Sequence, residues 1–236
     1  MNDLDSPATG SFELEPLSEK WEWVADGVWG DHGLRILPGG GFRIPRAQIG
    51  ALDIHGPNAE VSVCAWIKRE SDSPWQALAG VWDESRAKRQ YFLFLNARSR
   101  TLSESTLRVP CQNRIHGHVS DIGGATPGLE CCVTYATGAK EIPLQRWVFV
   151  AMTFAKGESR VFVDGRLDKC PESNPFQTSP QLFDGGKDGA DFTVGMNSVR
   201  QQWSNPFGGT LGGLAVYRRA LKAEELQTLF RSRPSS

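Results

Sequence analysis

No stretch of this sequence is long and apolar enough to cross a bilayer. The longest apolar run, Trp147–Ala155, is broken at Thr153, far short of the roughly 20 residues a membrane helix needs. The opening residues, MNDLDSPATGSFELEPLSEK, lack the basic and apolar regions of an export signal. The expectation is a soluble chain, either cytoplasmic or trimmed of its export leader, with no membrane insertion. Charge of one sign is missing too. The 26 Lys and Arg against 27 Asp and Glu leave a formal net charge of −1, and no basic block stands out, which argues against nucleic acid as a partner. No CxxC occurs, which argues against a structural zinc knuckle. The serine-hydrolase and phosphate-loop motifs GxSxG and GxxxxGK[ST] are also missing.

Helix-length amphipathic segments between strands are absent as well, which rules out a βαβ architecture. What is present is a series of short apolar runs rich in Val, Phe, Trp and Leu: GLRIL, GFRIP, EVSVCAWIKRE, WQALAGVWDE, YFLFLNA, STLRVP, LECCVTYAT, WVFVAMTF, SRVFVDG, DFTVG and GTLGGLAVYRRAL. Turn residues separate them, and the 25 glycines exceed the usual ~7%. Many short strands with turns between them predict an all-β, two-sheet antiparallel sandwich. The 236 residues fit one such domain. The organisation predicted is a flexible N-terminal segment over residues 1–20 and a single sandwich domain over 21–236.

The stretch from Trp147 to Asp168 carries the clearest local signal. Trp147, Phe149, Ala151 and Thr153 share one strand face; Val148, Val150, Met152 and Phe154 share the other. Both faces are apolar, as in a central strand covered on both sides. KGES then turns the chain, RVFV returns beside it, and Asp164-Gly165 ends the return with a favoured tight-turn pair. One helix is expected, in LKAEELQTLF, where Leu221, Leu226, Leu229 and Phe230 form a stripe and Glu224-Glu225 suit the first turn. Lys222 stands where Ser or Thr would be the expected N-cap.

Three motifs, in this order, resemble the laminin G-like members of the concanavalin A-like lectin/glucanase superfamily. They are EVSVCAWIKRE with its Ala65-Trp66-Ile67 step, WVFVAMTF followed by VFVDGRL, and FGGTLGGLAVYRRALKAEEL. They span roughly residues 30–230. The resemblance implies a jelly roll of two antiparallel sheets, one of them curved. Members of this group often bind a structural calcium beside an acidic pair on the closing strand; Gly212 and Gly213 occupy that place here. The acidic strand E-x-D-x-x-E of the glucanase branch is also missing, which counts against a family-like glucanase.

Four groups of residues are candidates for chemistry. Asp184, Asp188 and Asp191 lie in one Gly-rich loop and offer oxygen ligands to calcium, or serve as Asp-Gly turns in a solvated loop. In CQNRIHGHVSDIGG, His116 and His118 share a face if the chain is extended, and with Asp121 they make a recognised metal or ligand set; the same stretch also reads as a polar loop beside the sandwich. Arg114-Ile115-His116 weakly resembles the Q-I-H step of jelly-roll alginate lyases, without their tyrosine motif. Trp75, Trp82 and Trp203 stand in or beside turns and could stack on sugar rings, or fill the core. Of the five cysteines, Cys64 reads as a buried core residue, Cys111 and Cys131 flank one loop and could pair, and Cys132 and Cys170 have no assigned partner.

The function expected is a non-catalytic, lectin-like carbohydrate-binding module. It would use Trp75, Trp82, Arg114, His116, His118, Asp121 and Trp203 on its rim loops or concave sheet. Calcium at Asp184, Asp188 and Asp191 is a possible cofactor. The alternatives are a polysaccharide lyase or glycoside hydrolase acting through Arg114, His116 and His118, and a protein-interaction domain.

Overall fold

A computed structural model describes residues 12–96 and 113–232. Two antiparallel sheets dominate. Numbered along the chain, the first runs β1 (Glu15–Pro16), β4 (Phe42–Ile44), β16 (Phe192–Val194), β7 (Trp75–Asp83), β8 (Lys88–Asn96), β9 (Arg114–Val119) and β10 (Tyr135–Thr137). A small hairpin, β17 (Asn197–Val199) and β18 (Gln202–Ser204), hangs from β7. The second runs β13 (Arg166–Leu167), β12 (Glu158–Val163), β11 (Trp147–Ala155), β6 (Val61–Arg69), β19 (Gly209–Tyr217), β3 (Gly33–Ile36) and β2 (Trp21–Val24), with β14 (Phe176–Gln177) beside β12. A two-stranded patch pairs β5 (Gly56–Pro57) with β15 (Gln181–Leu182). The predicted all-β sandwich with one C-terminal helix is what the chain forms. The run STLRVP lies outside the described residues. From the N-terminal segment, Glu15–Pro16 pairs with β4 and Phe12 packs on the core.

The hairpin read from the sequence is present. Ala155 pairs with Glu158 across a two-residue turn, Lys156 (φ 51°) and Gly157 (φ 76°). Val163 pairs with Arg166 across Asp164 (φ 52°) and Gly165 (φ 72°). Two successive positive φ values give the turn twist that matches paired strands. β11 is central, between β12 and β6. Val148, Val150, Met152 and Phe154 enter the inter-sheet core. Phe149 and Ala151 point the other way, into a second cluster with Trp66, Cys64 and Leu226.

That second cluster exists because a helix covers the outer face of the second sheet. The helix α1 (Ala223–Arg231) buries Leu226 completely, worth about 1.5–3 kcal/mol relative to exposure. Phe230 stacks on Trp66 at 5.5 Å, and Phe149 packs beside Trp66 at the same centroid distance. Lys222 is the N-cap residue. Its backbone N–H donates to Glu225 Oε2 at 2.7 Å, and the Arg219 guanidinium beside Glu225 holds that carboxyl below the usual range.

Gly212 and Gly213 have a packing role. A Cβ on Gly212 would stand 2.8 Å from Val28 and 2.9 Å from the Trp147 ring; one on Gly213 would stand 2.5 Å from the Trp29 ring. The Gly212 carbonyl accepts the N–H groups of Val28 and Trp29. Two tryptophan rings therefore occupy the space into which acidic side chains would project.

Candidate ligand site

The site is on the first sheet, on the face turned away from the second. Alternation assigns the faces. Ile115 and Val119 of β9, Tyr91, Leu93 and Leu95 of β8, and Ala136 of β10 enter the inter-sheet core. His116 and His118, Phe92 and Phe94, and Tyr135 alternate with them and point outward. Gly117, between the two histidines, faces the core: a Cβ there would sit 3.0 Å from Val161 and 3.1 Å from Met152. Its carbonyl accepts the Ser159 hydroxyl at 2.9 Å, so this glycine lets β12 close against β9.

The outward face is nonetheless aromatic and largely shielded. Phe92 stacks on Phe94 at 4.3 Å. The His118 ring is hemmed by Phe94 at 4.9 Å, Trp82 at 5.5 Å, Trp75 at 5.8 Å and Tyr135 at 4.5 Å. His116 lies next along β9, against Trp75 and Tyr135. Register brings them together: Phe92 pairs with His118 and Phe94 with His116 across β8 and β9, and Tyr135 pairs with His118 across β9 and β10. Such rings favour edge-to-face and offset contacts, and most of these are of that kind.

Above this floor a pocket of about 180 Å³ opens. Trp75, Trp82, Phe94, His118 and Tyr135 make its aromatic wall. Glu84, Asn205, Val199 and the adjacent Cys131 and Cys132 complete it. The polar groups are held in place. The Trp82 indole N–H donates to Glu84 Oε1 at 3.3 Å, and Arg89 Nη2 lies 3.6 Å from Glu84 Oε2. Asn205 adopts φ 54°, a conformation Asn tolerates better than most residues. Its carbonyl accepts the Ala77 N–H and its Nδ2 donates to Asn197 Oδ1 at 2.8 Å. Burial pushes both thiols above their ordinary range, which lowers their thiolate fraction.

Several expectations change in detail. The histidine pair is on strand β9 and not in a loop. Trp75 and Trp82 are the first and next-to-last residues of β7, each beside a turn, and stand in one wall. Arg114 shares the outward face of β9 but does not line the pocket; Asp121, in the turn after β9, does not either. Trp203 is 39% exposed on β18 and lies outside it. The three loop aspartates do not converge. Asp191 Oδ1 accepts the Arg46 backbone N–H and its Oδ2 pairs with Arg43. Asp184 Oδ1 accepts the Gly186 N–H, and its Oδ2 is 3.6 Å from His55. Asp188 uses its backbone carbonyl, to Arg86. Among the described residues no three His, Cys, Asp or Glu side chains are grouped to hold a metal ion. Cys64 is buried as expected; a Cys111–Cys131 bridge lies outside the described residues.

Phe94, Tyr135, Glu84 and Asn205 were missed in the sequence. The alternation Phe92, Phe94 in YFLFLN was a signal that one strand face is aromatic on the side opposite Tyr91, Leu93 and Leu95. Nothing comparable marked Glu84 or Asn205.

Family comparison agrees with this architecture. A laminin G-type model described as the concanavalin A-like lectin/glucanases superfamily matches residues 45–227. The chain belongs to this superfamily. Solved structures of similar fold include domain 4 of AbnA, an extracellular arabinanase of Geobacillus stearothermophilus, in complex with arabinotriose. It has a TM-score of 0.58 at 15% identity, covering 95% of this chain and 91% of that one. Trypanosoma rangeli sialidase with sialic acid matches at 0.58 and 18% identity, over 92% of this chain but 29% of that one. The botulinum neurotoxin serotype G binding domain matches at 0.55 and 8% identity, over 94% and 47%. At such identities the likeness is one of fold. No helix among the described residues of this superfamily member is long and apolar enough to cross a membrane.

Proposed function

We propose that the chain is a carbohydrate-binding module whose ligand seat is the aromatic pocket on the outward face of the first sheet. The observation that carries this reading is the convergence of Trp75, Trp82, Phe94, His118 and Tyr135 on one open pocket edged by Glu84 and Asn205. Flat apolar rings with a few fixed polar groups beside them suit a sugar, which presents an apolar ring face and polar hydroxyls. One similar fold, domain 4 of AbnA, carries a sugar, arabinotriose, in its structure. The test is a glycan array with the purified chain, followed by titration of each hit while watching the Trp75 and Trp82 indole N–H signals. Saturable shifts in both support the reading. An array without hits sinks it and leaves the protein-interaction alternative.

A second reading, a polysaccharide lyase, has one observation in its favour: the His118 and Tyr135 rings stack at 4.5 Å in the pocket. A two-carboxyl glycosidase is less well served, since it needs a pair of acids flanking the bond and only Glu84 lines the pocket among the described residues. Incubation with uronate polymers would reveal a lyase through absorbance of unsaturated product, which His118→Ala would abolish.

A further inference from the structure

We infer that the pocket takes a single uncharged sugar ring and refuses sialic acids and uronates. The inference rests on the carbohydrate-binding reading and narrows it. Size sets the first half. At about 180 Å³ the pocket is well below the ~300–1,000 Å³ of sites that enclose drug-sized ligands, so it fits one ring, presented end-on, and not two side by side. Charge sets the second half. No lysine or arginine lines the pocket among the described residues, and its one carboxylate is Glu84.

The cation beside Glu84 is already committed. The Arg89 guanidinium is 6% exposed at its side chain, lies 3.6 Å from Glu84, donates to the Gly123 carbonyl at 3.2 Å, and sits 5.9 Å from the centre of the Trp82 ring. A sugar carboxylate entering the pocket would therefore lose water, meet Glu84, and find no free cation among the described lining residues. Neutral hydroxyls face no such cost, because Glu84 and Asn205 can share hydrogen bonds with them. Discrimination of this kind comes as much from the repulsive group as from the attractive ones.

The test uses the whole chain, labelled with ¹⁵N, and two sets of methyl glycosides at equal concentration. The neutral set holds arabinose, xylose, glucose, galactose and mannose; the acidic set holds glucuronate and N-acetylneuraminate. Saturable indole N–H shifts from at least one neutral glycoside are expected, with acidic ligands weaker by about tenfold or more. Glu84→Gln removes the repelling charge and leaves Arg89 uncompensated, so acidic ligands should gain relative to neutral ones. An acidic glycoside that binds as well as the best neutral one overturns the inference and leaves the carbohydrate reading standing. If no member of either set binds and the array is blank, the carbohydrate reading itself fails.

Discussion

Removing the Trp75 ring should separate ligand binding from stability. The ring is half-buried and, among the described residues, makes three edge-on contacts: Phe94 at 6.1 Å, His116 at 5.4 Å and His118 at 5.8 Å. Each such contact is worth about 0.5–1.5 kcal/mol when buried. Partial exposure keeps the loss at the low end, so Trp75→Ala should destabilise the fold by about 2 kcal/mol. Truncating an aromatic anchor in a binding pocket typically costs ~2 kcal/mol or more, which is about 30-fold in Kd. The assay is calorimetric titration with the best neutral glycoside, with melting followed in parallel.

Two companion variants make the result interpretable. Phe149→Leu perturbs the cluster under α1, behind the second sheet. It should cost about 1–1.5 kcal/mol of stability and leave Kd unchanged. Trp203→Ala removes an exposed indole outside the pocket and should alter neither. The reasoning is refuted if folded Trp75→Ala binds within about twofold of the native chain, or if Trp203→Ala loses affinity instead.

Three other outcomes follow from the structure. Gly212→Asp should lower the melting temperature sharply, because any Cβ there meets Val28 and Trp147 within 3 Å; a neutral effect would mean that the two tryptophans are not seated on the glycine pair. Arg219 holds the Glu225 carboxyl below its ordinary value, so the stability it contributes is complete above the usual glutamate pKa of about 4.3 and is lost as pH falls through the lowered one. The melting-temperature gap between the native chain and Glu225→Gln should therefore be flat near neutrality and shrink below about pH 4; a gap that widens in acid would contradict the assignment. Millimolar calcium should leave the melting temperature unchanged, because binding at Asp184, Asp188 and Asp191 would first have to draw Asp191 away from Arg43 and the Arg46 N–H; a clear rise would show that the loop can rearrange around the ion.

The parts of the fold that were legible in the sequence are those fixed locally. Lys156-Gly157 and Asp164-Gly165 dictate their turns because few residue pairs accept two positive φ values in succession. The α1 stripe declares itself through spacing alone. Strand β9 did not, and the reason is physical. RIHGHV has only Ile115 and Val119 as apolar inward residues, with Gly117 between them, and its other positions are polar. A strand with polar residues on one face normally shows that face to water. Here the face is instead roofed by rings from β7, β8 and β10, and no window along β9 contains that information.

The tryptophan pair makes the same point more sharply. Trp75 and Trp82 are seven residues apart, and in a regular strand an odd spacing puts two side chains on opposite faces. Yet both stand in one wall. The pairing with β8 shows how. Ala77 is opposite Phe94, but Ala79 is opposite Leu93, so the ladder slips by one residue at Leu78. Both Leu78 and Ala79 enter the inter-sheet core, and the alternation resumes with its phase reversed. Gly80 then faces outward, where a Cβ would stand 2.7 Å from the Phe92 backbone, and Trp82 follows on the same side as Trp75. A second register shift follows between Val81 and Trp82, and the extra residue at Leu78, a bulge of the kind that re-aims side chains near sites, brings into one pocket wall two tryptophans that strict alternation would have separated.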